Sequence, residues 1–262
     1  MKCFAVVVAA LALCCVSACS IFKRDIYPEN PYTGSIEIKS VAVAPFIVAD
    51  DIAMQPSPQF GLGMFKAGDG RTICYSTEFA ATFASNLSQF GLTIYPPHKV
   101  EAAWIEAEKN GQPSNPMATK DQAMALGRML KVDAILVGEV MTWKPYDETV
   151  LRLHWSLFYT RSRATSAGDV REAERSGLGG GEAGMDYSKM PVFSEQLVLD
   201  SGTKKTIEDL ETYTSSLGDI DPYHNKTKAI TARSYPYYVE FASWVAMRNA
   251  FIDWEANSKS GR

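Results

Sequence analysis

Two adjacent segments with different hydrophobic patterns constrain the fold more than any other feature of the sequence. The first, KVDAILVGEVMTW at residues 131–143, is almost continuously apolar, which is typical of a strand buried inside a sheet. The second, TVLRLHWSLFY at residues 149–159, alternates apolar and polar residues, as a strand with one covered face does. The five residues KPYDE between them fit a hairpin. The sequence therefore predicts an antiparallel pair of core strands. One face of the second strand would hold Leu151, Leu153, Trp155, Leu157 and Tyr159, and the other Arg152, His154 and Ser156.

Further strands and amphipathic helices are predicted around this pair. Strands are expected over residues 35–48, 92–96 and 191–202, and helices over residues 76–91, 98–111, 119–130, 203–218 and 235–256. Ser76 or Thr77 and Thr119 are suited to begin helices, and Gly91 and Gly218 to end them. Gly138 is expected where another backbone approaches the central strand. Residues 50–72 and 219–234 are predicted as polar surface loops.

These elements predict a mixed α/β fold, a three-layer-like sandwich of a central mixed sheet with packed amphipathic helices. It would form one domain over residues 35–256. Residues 161–190 carry four arginines and many glycines without an apolar period, and this predicts a disordered polar insertion.

The amino terminus has the features of an export signal. Lys2 precedes an apolar stretch from Phe4 to Val16 that is shorter than the ~20 residues of a membrane span. The following Val16-Ser17-Ala18-Cys19 resembles the lipobox of bacterial lipoproteins, which implies cleavage after residue 18 and acylation of Cys19 with fatty acids such as palmitate. The alternative is an ordinary signal peptide with a chance cysteine. Ser20 in place of aspartate resembles outer-membrane sorting, facing the periplasm. Residues 19–34 are predicted as a flexible tether.

The remaining cysteines and the charge balance exclude some classes of function. Cys3, Cys14 and Cys15 would leave with the signal, so Cys74 would be the only other cysteine, and it is predicted as a packing residue rather than a reactive thiol. The formal net charge is −4, and loss of Lys2 makes it more negative. This weak acidity argues against nucleic acid as a partner.

The segment AMALGRMLKVDAILVGEVMTW at residues 123–143 resembles a group of bacterial envelope proteins. The group includes the curli-export lipoprotein family, the lipoprotein activators of penicillin-binding proteins and the amino-terminal domain of TolB. The resemblance covers roughly residues 35–160 and implies their small α/β sandwich, together with an envelope protein partner such as a wall synthase or a secretion machine. The matching residues are Ala125, Leu126, Gly127, Leu130, Val132, Asp133, Ala134, Val137, Gly138 and Val140.

No motif in the chain predicts a cofactor, a metal or a catalytic site. His98, His154 and His224 are far apart, and Gly179, Gly181 and Gly184 lack the strand and helix that a dinucleotide site requires. Asp50 and Asp51 follow the first predicted strand, where a loop uses such residues as often as a site does. Arg248 is expected to lie along apolar surface rather than bind an anion.

The sequence therefore favours a non-catalytic, lipid-anchored binding or scaffolding protein of the cell envelope. A hydrolase remains an alternative if Asp50, Asp51, His154 or Arg248 converge in one cleft. A secretion-pore subunit is the third reading, although residues 161–190 lack the alternating hairpins of a membrane pore.

Overall fold

The computed structural model describes residues 38–54, 61–145, 148–160, 193–220 and 228–260. They form a mixed α/β sandwich in which helices pack on both faces of one eight-stranded sheet, as predicted. A 3₁₀ turn spans Leu87–Phe90. The strands are β1 (Ser40–Val43), β2 (Phe46–Val48), β3 (Gly63–Lys66), β4 (Thr72–Ser76), β5 (Thr93–Tyr95), β6 (Ala134–Lys144), β7 (Val150–Tyr159) and β8 (Phe193–Asp200). The helices are α1 (Asp50–Ala53), α2 (Thr77–Ala84), α3 (Pro97–Lys109), α4 (Lys120–Met129), α5 (Lys204–Ile220), α6 (Lys228–Arg233) and α7 (Tyr235–Ser260).

Strand β6 is the centre of the sheet. It pairs antiparallel with β7, which pairs antiparallel with β8, and this confirms the predicted hairpin. On its other edge β6 pairs in parallel with β1 and β2, which lie end to end. β5 flanks β1, and the β3–β4 hairpin flanks β2. The first predicted strand is interrupted between β1 and β2 at Pro45, which has no backbone N–H to donate to the ladder.

One face of the sheet, here called the closed face, is buried under α2, α5 and α7. The alternate residues Leu151, Leu153, Trp155 and Leu157 all point into this core. Phe83 of α2 lies 6.3 Å from Trp155, measured between ring centroids, so this helix packs against β7. Rings from α7 extend the core, since Tyr238 lies 6.1 Å from Trp143.

The opposite face, here called the half-open face, has a smaller core under α3 and α4. It covers Ala42 and Ala44 near β5 and reaches Ile135 and Phe158 on β6 and β7. Arg152 and His154, further along β7, are exposed on this face. The two faces of the same sheet therefore differ in how far helices cover them.

Residues 123–143 contribute hydrogen bonds and close packing to this fold. The Asp133 carboxylate accepts hydrogen bonds from the backbone N–H groups of Lys39 and Ser40, at 3.0 and 2.9 Å, and from the Ser40 hydroxyl. It thereby fixes the start of β1 beside β6. Residue 127 must be glycine, because a Cβ at this position would overlap the Thr160 methyl group.

Several sequence predictions need correction. The region 50–72 is not one loop, because it contains α1 and the β3–β4 hairpin, and α6 lies within the predicted loop 219–234. Gly218 does not end α5, which continues to Ile220. Gly138 is approached by the Phe46 ring rather than by a backbone. The caps at Ser76 and Thr119 are confirmed, whereas Gly91 ends the 3₁₀ turn rather than α2, which already stops at Ala84.

Candidate functional site

A cleft of about 240 Å³ opens on the half-open face. It lies where the residues leading into α4 meet β2, β6 and β7, at the limit of the helix layer. Thr119 fixes the start of α4, because its hydroxyl accepts a hydrogen bond from the Gln122 N–H at 3.3 Å. The Asn115 side chain accepts one from the Met117 N–H at 2.9 Å, which orders the segment before the helix. Both walls of the cleft are therefore built on ordered backbone.

The cleft has an apolar floor and polar walls. Ile47, Val137 and Phe158 contribute apolar surface from three strands, and Met117 adds more from the opposite wall. The polar side chains come from two strands and the first turn of α4. They are Lys120, Glu139, His154 and Ser156.

The exposed part of β7 and β8 continues the cleft outward. We call this surface the open patch. It consists of the exposed Arg152, His154, Ser194, Gln196 and Val198, with the half-buried Glu139 of β6 at its inner edge. Val198 is 50% exposed and adds apolar surface to the patch.

Three polar side chains of neighbouring strands form a network at the cleft. The Ser194 hydroxyl lies 3.0 Å from His154 Nε2 and 2.8 Å from the Ser156 hydroxyl. Glu139 lies opposite His154 in the β6–β7 register. The sequence analysis missed this cluster because Glu139, His154 and Ser194 come from three separate segments. Strand alternation alone would have placed Ser194 and His154 each on the polar face of its own strand, but only the β7–β8 register makes them neighbours.

The serine–histidine pair does not form a complete nucleophile system. A catalytic histidine is usually oriented by a third group on its other ring nitrogen. Among the described residues no hydrogen bond is made to His154 Nδ1, and both His154 and Ser194 are exposed to water. The arrangement suits hydrogen bonding to a bound molecule better than proton transfer.

The other residues considered in the sequence lie apart from the cleft. Asp50 and Asp51 are exposed in the first turn of α1, and His98 is exposed in α3. Of Asp50, Asp51, His154 and Arg248, only His154 lines the cleft, so the convergence required for the hydrolase does not occur there. Cys74 is a free, half-buried thiol in β4 that packs against the closed-face core.

Arg248 is engaged within the fold. Its guanidinium forms an ion pair with Asp209 at 2.7 Å and lies 4.6 Å from the centre of the Trp244 ring. Packing against an aromatic side chain agrees with the sequence prediction, and the partner carboxylate comes from α5 of the same chain. The guanidinium is thus used to join α5 and α7.

Several predicted features lie outside the described residues. They are the signal segment and Cys19, the tether at residues 19–34, His224, and the insertion at residues 161–190 with Gly179, Gly181 and Gly184.

Perturbed tyrosines mark buried structural contacts rather than the cleft. Burial, with a hydrogen bond to Glu101, raises the pKa of Tyr75 above its usual range. The Tyr75 hydroxyl donates to Glu101 at 2.6 Å, and Thr77 donates to the other carboxylate oxygen at 3.0 Å. Burial likewise raises the pKa of Tyr235 and Tyr238. These phenols stay neutral and serve the packing between helices and sheet.

The described ranges hold neither a metal-binding cluster nor a membrane-spanning helix. There, no three His, Cys, Asp or Glu side chains lie close enough to hold a metal ion. Within the same ranges no helix is long and apolar enough to cross a bilayer.

Comparisons with known proteins give weak structural similarities. The sequence matches no protein-family model and no curated protein. Among solved structures, the lipoprotein GNA1162 from Neisseria meningitidis is similar with 13% identity and a TM-score of 0.37, over 68% of this chain and 96% of that one. The LpoB C-terminal domain from Salmonella enterica is similar with 9% identity and a TM-score of 0.33, over 69% of this chain and 90% of that one. Values this low do not establish family membership.

Proposed function

We propose that this chain is a lipid-anchored protein of the cell envelope that binds a protein partner through the cleft and the open patch. The observation that carries the proposal is the uneven covering of the sheet. The closed face is sealed by three helices, whereas the half-open face ends in a cleft with apolar and polar walls. A cleft of this kind beside exposed strands is suited to a partner's side chains. The protein binds its partner without changing it covalently.

The anchor is the second part of the proposal. Cys19 follows the lipobox-like Val16-Ser17-Ala18 and would carry the lipid. Two or three acyl chains hold a protein stably on a bilayer where one does not. Ser20 supports attachment to the outer membrane, facing the periplasm, and residues 19–34 would tether the domain to it.

Site-specific photo-crosslinking in cells tests the binding role. A photoreactive amino acid replaces Gln196 in the open patch, and a matched variant carries it at Lys205 on α5, which covers the closed face. Both positions are exposed, so neither substitution disturbs the core. We expect the Gln196 variant, but not the Lys205 variant, to capture a discrete envelope protein identifiable by mass spectrometry. Equal capture at both positions, or none at Gln196, contradicts the proposed surface.

Lipidation is tested separately by intact mass and membrane fractionation. The wild-type chain is expected to begin at Cys19 with added acyl mass and to sediment with membranes, and Cys19→Ala to lose both properties. A Cys19→Ala protein that stays on membranes would show that another segment is the anchor.

A hydrolase is the second candidate, and the 3.0 Å contact between Ser194 and His154 favours it. Its test is hydrolysis of small ester and amide substrates by the wild type and by Ser194→Ala. Activity that disappears in Ser194→Ala would support the hydrolase. Absence of turnover, or equal turnover in both proteins, leaves the contact with a binding role.

A further inference from the structure

We propose that the cleft and the open patch recognise an extended acidic segment of a protein partner, with carboxylates bound by Lys120 and Arg152. The inference rests on the proposed function and names the chemistry of the partner. It is argued from the charge of this surface, from its apolar content and from the spacing of its side chains.

The charge of the surface is opposite to that of the whole protein. The chain carries a formal net charge of −4, yet among the residues that define the cleft and the open patch Lys120 and Arg152 are exposed cations and Glu139 is the one acid. Within the described ranges neither cation forms an ion pair. Helix stability does not explain Lys120, because a cation in the first turn of a helix is opposed by the helix dipole. A negatively charged partner supplies the missing counter-charges.

Apolar surface lies between and beside these charges. Ile47, Val137 and Met117 line the cleft, and Val198 of β8 lies opposite Arg152 in the β7–β8 register. A free inorganic anion makes no use of such surface, whereas an extended peptide that carries apolar and acidic side chains on one face uses both. The Ser156 hydroxyl and the exposed Ser194 and His154 add hydrogen-bonding groups at the same place.

The spacing of the strand fits an extended partner. Arg152 and His154 are two residues apart on β7, which places them roughly 7 Å from each other along the strand. Alternate side chains of an extended peptide have the same spacing. One apolar side chain can therefore enter the cleft while acidic side chains reach the cations at its rim.

Fluorescence anisotropy with defined peptides tests this inference on the full mature chain in detergent. The probe is a labelled peptide of three Val-Ser-Glu-Ser repeats, in which Val and Glu lie on the same face of the extended chain, and the controls replace every Glu by Gln or by Lys. We expect the acidic peptide to bind about tenfold more tightly than the Gln peptide. Salt at about 0.5 M should weaken its binding, because the contacts are exposed to solvent.

Charge-reversal variants locate the binding. Lys120→Glu combined with Arg152→Glu is expected to weaken binding of the acidic peptide about tenfold. The matched control, Lys66→Glu with Lys205→Glu, makes the same change of charge at exposed positions outside the open patch and should leave binding unchanged. A second pair, Lys120→Met with Arg152→Met, keeps the test valid if acidic substitutions unfold the protein. Melting curves verify the fold of each variant.

Three results of the peptide experiments would overturn the inference. They are equal binding of the acidic and Gln peptides, no binding of any peptide up to about 1 mM, and no effect of the Lys120 and Arg152 substitutions. Self-association of the wild type that the double variant abolishes would also overturn it, because a second copy would then occupy the surface. Capture of an envelope protein from Gln196 together with any of these results would leave the proposed function standing and remove only the acidic recognition.

Discussion

The two faces of the central sheet differ in how far helices cover the same strands. On the closed face, β6 and β7 present Leu136, Leu153 and Trp155 to helices that bury them almost completely. On the half-open face, the same strands present Glu139, which is half-buried in the cleft, and Arg152 and His154, which are exposed. Burial of apolar surface stabilises the fold on the first face. Substitutions of exposed residues on the second face are expected to cost little stability.

The sharpest way to test this contrast is to change the charge on each side of one strand. Leu136 is 2% exposed within the closed-face core, so Leu136→Asp would bury an unpaired carboxylate. That costs several kcal/mol, against a total free energy of unfolding of about 5–15 kcal/mol. We expect loss of cooperative thermal unfolding by circular dichroism.

The matched control for this variant is Glu139→Gln, three residues along the same strand on the half-open face. It should retain a near-native melting temperature. A Leu136→Asp protein that melts like the wild type would show that this face is not a core.

A smaller effect is expected where β6 has no side chain. A Cβ on Gly138 would lie 2.5 Å from the Phe46 ring, so Gly138→Ala forces that ring to move within the closed-face core. Overpacking of this kind costs about 1–3 kcal/mol, measurable by denaturant unfolding.

The double variant Gly138→Ala with Phe46→Leu tests the cause. If the ring is the obstacle, the combined loss of stability is less than the sum of the two single losses. Strict additivity would show that the cost of Gly138→Ala has another origin.

The smallest effect on stability is expected from deleting residues 161–190. Leu157 and Phe193 are paired between β7 and β8, so the two chain ends that flank the deletion are close enough for a short linker. The free energy of closing a loop changes by only about 0.6 kcal/mol for each doubling of the loop length. The melting temperature of the deletion variant should therefore stay near that of the wild type.

Loss of cooperative melting in that variant would show that the insertion is structural. If Arg161, Arg163, Arg171 and Arg175 contact the partner, replacing all four with serine should weaken capture in a salt-sensitive way. Unchanged capture would leave the insertion as a spacer.

Local patterns were sufficient where an element's own residues determine its structure. The β6–β7 hairpin follows from the alternation around Trp155, and the starts of α2 and α4 follow from the capping hydroxyls of Ser76 and Thr119. The β3–β4 hairpin escaped prediction because its strands are short and are stabilised by pairing with β2, a partner distant in sequence.

The sequence by itself determined the amphipathic elements of the sandwich, because each depends on neighbouring residues or on a simple period. The export signal and the lipobox-like motif at Cys19 also rest on neighbouring residues alone, and they stay predictions. Only the tertiary structure decided where the sheet stays uncovered. The meeting of Lys120, Glu139, His154 and Ser194 at one cleft depends on strand register and on where α4 begins. These are long-range contacts, and no local pattern encodes which distant side chains they bring together.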